Sequence, residues 1–152
     1  LRREHPQLEL YVAGRPQHFA AKESRLPRLL AADGVKVLGY LSETDLANAY
    51  AGAVAYCYPS YEEGFGLPVL EAMSVGTPVI TSNRSCLPEV AGPSAILVDP
   101  YSVEAIADGM RQALVLTPEE RERKAEEGKQ WAAQFSWENA ARGYLKLYQE
   151  FA

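Results

Sequence analysis

Short apolar runs alternate with amphipathic stretches along the first hundred residues of the chain. The apolar runs end at glycine, proline or polar residues, as buried strands do, and the stretches between them have helical spacing of apolar positions. The predicted strands are residues 8–13, 35–38, 54–58, 79–81 and 95–98. The predicted helices between them are residues 19–31, 42–50 and 68–75.

Capping residues mark where several of these helices begin and end. Ser42 is followed by Asp45, and Pro68 stands in a first turn whose helix is closed by Gly76. After Pro100 the pattern is wholly helical. Three further N-cap residues divide this tail into helices: Ser102, Thr117 and Ser136.

Strands separated by helices at this spacing imply right-handed crossovers and a parallel sheet. The predicted fold class is therefore α/β, a Rossmann-like parallel sheet with helices on both faces, followed by an all-helical tail. Ligands of such sheets bind outside the carboxyl ends of the strands. Glycines and polar residues collect after each predicted strand, at this edge of the sheet.

The composition is that of a globular domain with an acidic balance. The 152 residues are 47% hydrophobic and 23% charged, with a formal net charge of −5, and the length predicts one domain, residues 1–152. The acidic balance argues against nucleic acid or an anionic membrane as the main partner. An anionic ligand would therefore be held by local features such as helix termini and backbone amides.

Cysteine and histidine usage predicts neither a disulfide framework nor a metal site. Cys57 and Cys86 match no zinc spacing and are expected to be buried free thiols, and His5 and His18 are expected at the surface. We predict no metal and no cofactor. No apolar run reaches the length of a membrane span and no signal peptide precedes the first strand, so a soluble, cytoplasmic protein is expected. Residues 1–5 have the pattern of a helix end, which predicts a fragment.

The segment after the third predicted strand carries the clearest chemistry. Gly64 and Gly66 stand directly before a helix, where the backbone can approach a ligand and the unpaired N–H groups attract an anion. Glu63 and Glu71 lie at the two ends of this loop-helix unit, where they can accept hydroxyls of a nucleotide sugar. The alternative is that both glutamates are solvated charges and the glycines serve only the turn. The segment is neither a Walker A motif nor Gly-x-Gly-x-x-Gly, which disfavours a dinucleotide dehydrogenase.

Four stretches with correct spacing resemble glycosyltransferase family 4, the group 1 glycosyltransferases, which are retaining enzymes of the GT-B fold. The stretches are Pro59-Ser60, the run Glu-Gly-Phe-Gly-Leu-Pro-Val-Leu-Glu-Ala-Met at 63–73, Gly-Thr-Pro-Val-Ile at 76–80, and Leu-Pro-Glu-Val-Ala-Gly at 87–92. The resemblance runs from about residue 8 to the C-terminus. It implies the C-terminal, donor-binding half of the fold, without its first strand and without the N-terminal acceptor domain.

The resemblance assigns roles to residues of this chain. Glu63 is the candidate catalytic residue, in contact with the donor-sugar hydroxyls, and Glu71 would hold the ribose. The diphosphate or sugar would be held by the backbone amides of Gly64, Phe65, Gly66 and Leu67. The base would lie against Val37, Leu38, Gly39 and Tyr40.

The implied activity is transfer of a hexose from a nucleoside diphosphate with retention of configuration. The pattern at residues 85–89 is similar to bacterial mannosyltransferases, which favours GDP-mannose. The alternatives are a sugar-nucleotide 2-epimerase of the same fold and a non-catalytic nucleotide-sugar-binding domain. The partners implied are the nucleotide-sugar donor and the missing N-terminal domain, which could bring an acceptor at the inner face of a membrane; no nucleic acid is expected.

One departure from the family limits the expected activity. Family members carry an Arg and a Lys on the donor phosphates after the first strand of this domain, and that segment would precede Leu1. Arg15 and Lys22 are not its equivalents, since Arg15 fits the end of the second strand of the domain. The isolated chain is therefore expected to bind nucleotide weakly and to be inactive.

Other residues receive structural interpretations. Arg84 is expected to face solvent, and Glu89 to cap a helix or fix a loop. An apolar stripe recurs every three or four residues near the C-terminus, and packing on the domain's own sheet is the favoured interpretation, with an interface to the other domain as the alternative. The stripe consists of Trp137, Ala141, Tyr144, Tyr148 and Phe151.

Overall fold

The structure, a computed structural model, describes residues 1–14 and 26–151. The strands in these residues are β1 (Leu10–Ala13), β2 (Val35–Gly39), β3 (Tyr56–Tyr58), β4 (Val79–Ser82) and β5 (Ile96–Val98). The helices are α1 (Leu26–Leu30), α2 (Glu43–Gly52), α3 (Leu67–Ser74), α4 (Leu87–Ala91), α5 (Val103–Leu114), α6 (Pro118–Ala132) and α7 (Trp137–Glu150). The chain divides into two compact units, Leu1–Asn48 and Ala49–Ala152.

The first unit contains a parallel pair of strands. β1 pairs with β2, and in the register of this pair Leu10 lies opposite Val35 and Val12 opposite Val37. The Gly14 N–H donates to the Gly39 carbonyl at 2.8 Å and closes the ladder. Of the helix predicted over residues 19–31, only the part from Leu26 is described; Arg15, His18 and Lys22 lie outside the described residues.

The second unit contains a three-stranded parallel sheet in the order β3-β4-β5. All four residues of the central strand β4 are buried, as expected of a strand with a neighbour on each side and helices over its faces. The α/β class with parallel strands is therefore confirmed. Among the described residues, the strands are hydrogen-bonded as a two-stranded sheet in the first unit and a three-stranded sheet in the second.

Three helices pack against β4, namely α3, α4 and α5. Ile80 of β4 forms a core cluster with Val98 of β5 and Ala113 of α5. Gly109 lets α5 come this close, because a Cβ there would lie 2.6 Å from Val98 Cγ1. Val69 and Ala72 of α3 are completely buried, so the helix that follows the candidate loop is fixed in the core.

The predicted caps of the tail helices are confirmed. The Ser102 side chain accepts from the Ala105 N–H, and the Ser136 side chain accepts from the Asn139 N–H. At α6, Thr117 and Glu120 form a reciprocal capping box. These bonds satisfy backbone donors that a helix start leaves unpaired.

α6 is tied to the rest of its unit at both ends. Near its start, the Arg121 guanidinium donates to the carbonyls of Val54, at 2.5 Å, and Ala113, at 3.0 Å. Near its end, the Trp131 indole N–H donates to the Val90 carbonyl at 2.8 Å. The Trp131 ring lies so close to Gly92 that a Cβ there would sit 2.3 Å from the ring.

The prediction that the C-terminal stripe packs on the sheet is wrong. No residue of α7 is buried, and Trp137 and Phe151 are 93% and 87% exposed. The spacing of apolar residues correctly predicts an amphipathic helix, but it does not specify which surface covers the apolar face. The alternative, an interface with another domain, stays a prediction.

Other differences from the predicted elements are small. β3 is shorter than predicted, and residues 87–91, for which no helix was predicted, form the short helix α4. Cys57 and Cys86 are free, and both are half-buried rather than buried. None of the described helices is long and apolar enough to cross a membrane.

Candidate functional site

The loops after β3 and β4 are joined by hydrogen bonds at the carboxyl end of the sheet. The Ser85 hydroxyl donates to the Glu63 carbonyl at 2.9 Å and accepts from the Glu63 N–H at 3.3 Å. The Cys86 thiol lies 3.3 Å from the Glu63 carbonyl and 3.2 Å from the Phe65 carbonyl. Ser85 has a φ of 58°, a conformation that costs free energy for a residue with a Cβ. The hydrogen bonds from Ser85 and Cys86 therefore hold the loop that carries Glu63 against the loop after β4.

Glu63 is half-buried, and its carboxylate is held by two hydroxyl groups. The Tyr58 hydroxyl donates to Glu63 Oε1 at 2.5 Å, and the Ser60 hydroxyl donates to the same oxygen at 2.9 Å. No cation pairs with Glu63 among the described residues. The charge therefore stays available to a ligand, and the side chain is already ordered.

The two glycines of the loop have different reasons to be glycine. Gly66 is the N-cap of α3 with a φ of 96°, and a Cβ there would lie 2.6 Å from Leu87 Cδ2. Gly64 has no positive φ, and a Cβ there would meet nothing within 4 Å. The fold therefore requires glycine at position 66, whereas at position 64 the missing side chain leaves open space beside the loop.

Backbone donors of the loop are available for an anion. In the described part of the chain, no hydrogen-bond acceptor faces the N–H groups of Gly64, Phe65, Gly66 and Leu67. α3 has no side-chain cap, so the partial positive charge at its start is not compensated locally. Unpaired amides at the start of a helix can bind an anion; that these four amides do so stays a prediction.

Glu71 lies one turn into α3, on the exposed side of the helix. Its neighbours Leu70 and Ala72 are both buried, which fixes the backbone under the carboxylate. Glu71 Oε2 accepts a long hydrogen bond, 3.4 Å, from the Tyr50 hydroxyl. Glu63 and Glu71 therefore each have a tyrosine hydroxyl as a donor.

Tyr50, Tyr56 and Tyr58 form an aromatic row that sequence reasoning missed. The Tyr50 and Tyr56 rings meet edge-on with centroids 4.9 Å apart, and the Tyr56 and Tyr58 rings stack at 5.8 Å. Burial raises the pKa of Tyr58 to about 12 and raises the pKa of Tyr56 further, so both hydroxyls stay protonated at neutral pH. The signal in the sequence was the alternation of Tyr56 and Tyr58, which puts both rings on one face of β3.

Arg84, expected to face solvent, contacts residues that follow β5. Its guanidinium lies 4.0 Å from the Asp99 carboxylate and over the Tyr101 ring, which stacks on Tyr61 with centroids 4.6 Å apart. The side chain is 54% exposed, so the expectation is met only in part. Arg84 therefore links the loops after β4 and β5.

Glu89 and His5, for which the sequence predicted structural positions, lie away from the loop at 63–67 in the chain. Glu89 is exposed in the first turn of α4 and makes no capping hydrogen bond among the described residues; its charge suits the helix start. His5 is half-buried. No group of three or more metal-ligating side chains occurs in residues 1–14 and 26–151.

The segment predicted to lie against the base belongs to the first unit. Val37 and Leu38 are part of β2 and are 43% and 39% exposed. Gly39 ends the strand with a φ of 71°, and Tyr40 follows with 71% of its surface exposed. Exposed apolar side chains at the carboxyl end of a strand suit contact with a base.

Comparison with known proteins identifies the class to which this loop and fold belong. The family model "Glycosyl transferases group 1" matches residues 1–131, so the chain belongs to the group 1 glycosyltransferases. The match ends before α7 begins.

The similar curated proteins include two mannosyltransferases. The chain is 44% identical over 115 residues to O-antigen chain mannosyltransferase B of Escherichia coli, covering 76% of this chain and 30% of that protein. It is 33% identical over 147 residues to MMP alpha-(1->4)-mannosyltransferase of Mycolicibacterium hassiacum, covering 94% of this chain and 36% of that protein. The chain spans about a third of the length of these relatives.

Solved structures confirm the fold. A sucrose-phosphate synthase from Thermosynechococcus elongatus matches 95% of this chain with 31% identity and a TM-score of 0.77, over 38% of its own length. A glycosyltransferase from Rickettsia africae matches 98% of this chain with a TM-score of 0.83 and 21% identity, over 41% of its own length. The C-terminal domain of a group 1 glycosyltransferase from Francisella tularensis, 23% identical, covers 88% of this chain and 72% of its own with a TM-score of 0.71.

Proposed function

We propose that the chain is the donor-binding domain of a retaining glycosyltransferase that transfers a hexose from a nucleoside diphosphate. The observation that carries the proposal is the loop from Glu63 to Leu67. It combines backbone N–H groups without acceptors in the described structure with an ordered carboxylate at its start. The second carboxylate, Glu71, stands one helical turn further on.

Each part of a nucleotide sugar has a matching group in this proposal. The diphosphate lies against the amides of Gly64, Phe65, Gly66 and Leu67, where the start of α3 favours negative charge. Glu71 accepts from the ribose hydroxyls, and Glu63 accepts from hydroxyls of the hexose. Contact of the base with the segment Val37–Tyr40 stays a prediction from the sequence.

GDP-mannose is the donor that we favour. The relatives named mannosyltransferases support mannose as the hexose, and the transferase names support transfer over epimerisation. In the reaction the bond between the anomeric carbon and the diphosphate breaks as the acceptor oxygen bonds to the same face of that carbon, and the proton of the acceptor hydroxyl goes to the departing diphosphate. This domain would position the donor and stabilise the leaving diphosphate rather than supply a nucleophile.

Titration of the ¹⁵N-labelled chain, followed by NMR, tests the proposal and detects millimolar affinities. The ligands are GDP, UDP, ADP and their hexose conjugates. We expect one base series to bind, with shifts at the amides of residues 64–67. Glu71→Gln should weaken binding of that nucleotide about tenfold or more, because a hydrogen bond to a charged acceptor contributes about 1.5–3 kcal/mol.

Two comparisons make this titration decisive. Glu122→Gln removes the same charge from an exposed position on α6 and should leave affinity unchanged. If Glu71→Gln and Glu63→Gln bind as well as the original chain, the assignment of the loop is wrong. If neither this chain nor a longer form of the protein binds any nucleotide, the proposed function is wrong.

A further inference from the structure

Tyr58, the last residue of β3, is held in place beside the Glu63 carboxylate. Its ring stacks on Tyr56 with an interplanar angle of 19°, and Tyr56 packs edge-on against Tyr50. Its carbonyl accepts from the buried Thr81 hydroxyl at 2.8 Å. Ring and backbone are thus both held, so the hydroxyl is presented at one place.

The hydrogen bonds on Glu63 are unevenly divided between its two oxygens. Oε1 receives both the Tyr58 and the Ser60 hydroxyl, at 2.5 and 2.9 Å. In the described part of the chain no donor contacts Oε2. A carboxylate has about four acceptor sites, so Oε2 keeps its full capacity for hydroxyl groups of a ligand.

Both donors on Oε1 are neutral hydroxyl groups, so the carboxylate keeps its negative charge and Oε2 stays free for a ligand. A lysine or arginine in their place would neutralise the carboxylate and compete for both oxygens. Hydroxyl donors instead fix the orientation and leave the negative charge in place. Because the pKa of Tyr58 is raised to about 12 by burial, its hydroxyl remains a donor throughout the physiological range.

We propose that Tyr58 is a positioning residue that holds Glu63 Oε1 so that Oε2 accepts hydroxyls of the donor hexose. Ser60 supports the same oxygen, and Tyr58 has no described hydrogen bond to Glu71. The effect is therefore confined to the sugar end of the donor. This inference rests on the proposed function, since it assumes that a nucleotide sugar occupies the loop.

The test compares one substitution on two ligands that differ only in the hexose. Tyr58→Phe keeps the stacked ring and removes the hydroxyl. By NMR titration we expect affinity for the nucleoside diphosphate hexose to fall about tenfold, the size of one charge-assisted hydrogen bond. Affinity for the nucleoside diphosphate itself should stay unchanged.

Tyr61→Phe is the matched control. It removes a hydroxyl of the same kind three residues further along, where the ring is exposed and stacks on Tyr101, and it should change neither affinity. A double-mutant cycle measures the coupling between Tyr58 and Glu63 in binding the hexose, which would be absent if Tyr58 only supported the fold. In a Glu63→Gln background, Tyr58→Phe should cost the hexose conjugate much less than tenfold.

The outcomes separate the inference from the proposed function. An equal loss for both ligands, or an additive loss in the double mutant, overturns the positioning role while the donor site stands. If the unsubstituted chain and a longer form of the protein bind neither ligand, the proposed function fails and this inference falls with it. A loss confined to the hexose conjugate supports both.

Discussion

Gly66 and Gly64 show how one loop can serve both folding and binding. Gly66 adopts a φ of 96° with the completely buried Leu87 beside it. Gly64 has neither constraint, so the fold does not explain its missing side chain, whereas the proposed function does, since the donor would approach the loop there. The proposal of a binding loop therefore depends more on Gly64 than on Gly66.

Alanine substitutions at these two positions should affect different quantities, the stability of the fold at position 66 and the affinity for nucleotide at position 64. Gly66→Ala should lower the free energy of unfolding by about 2–5 kcal/mol, since a left-handed φ costs about 1–2 kcal/mol and overpacking costs about 1–3 kcal/mol. Gly64→Ala should leave stability unchanged or raise it by up to about 1 kcal/mol, but should weaken nucleotide binding. Urea unfolding followed by circular dichroism gives the first quantity and NMR titration the second. Equal stability of the two variants would contradict the structure around Leu87.

Glu63, Glu71 and the glycines between them could be selected from sequence because they are close along the chain and precede a helix with clear start and stop signals. Tyr50 and Tyr58 could not be selected in the same way. Their hydroxyls reach the two carboxylates only because β3 and the end of α2 lie beside the loop in the folded unit. Contacts between residues distant in sequence depend on tertiary packing, which hydrophobic spacing does not specify.

At the scale of elements, helix starts were predictable where a side chain makes the cap. Ser102, Thr117 and Ser136 each form the expected bond to the third residue onward. α4 was missed because its N-cap, Cys86, makes no side-chain capping bond and the helix has five residues. A short helix without a capping hydroxyl has the same sequence pattern as a turn.

The capping box of α6 should contribute measurably to stability. Thr117→Ala removes the acceptor of the Glu120 N–H, and it should lower the free energy of unfolding by about 1 kcal/mol, within the usual range of about 0.5–2 kcal/mol. Thr117→Ser keeps the hydroxyl and should retain most of that stability. Urea unfolding followed by circular dichroism measures both variants. A loss of the same size in the serine variant would show that the cap bond is not the cause.

At the scale of the whole molecule, the parallel α/β class followed from the alternation of strands and helices. The order β3-β4-β5 within the second unit did not, because strand pairing depends on long-range packing. The apolar stripe predicted α7 but not its exposure. The family match ends at residue 131, so α7 lies outside the part that the family model covers.

Because α7 has no buried residue, its backbone should be the least protected helix of the second unit. Isolated helices of about 12–15 residues are marginal in water, so packing supplies most helix stability. Hydrogen exchange followed by mass spectrometry should show amides of residues 139–150 exchanging at least about tenfold faster than those of α5 and α6. Slow exchange in α7 that persists on dilution would contradict its exposure within one chain.

The two tryptophans of the chain differ in their burial and contacts. Trp131 is anchored by its indole N–H to the Val90 carbonyl and packs against Gly92, whereas Trp137 is 93% exposed at the start of α7. Their fluorescence should therefore report two separate events. Emission from Trp131 should shift to the red when the second unit unfolds, and acrylamide should quench Trp137 in the folded chain almost as strongly as in the unfolded chain. The chain thus carries one tryptophan that reports on folding and one that reports on the exposure of α7, six residues apart.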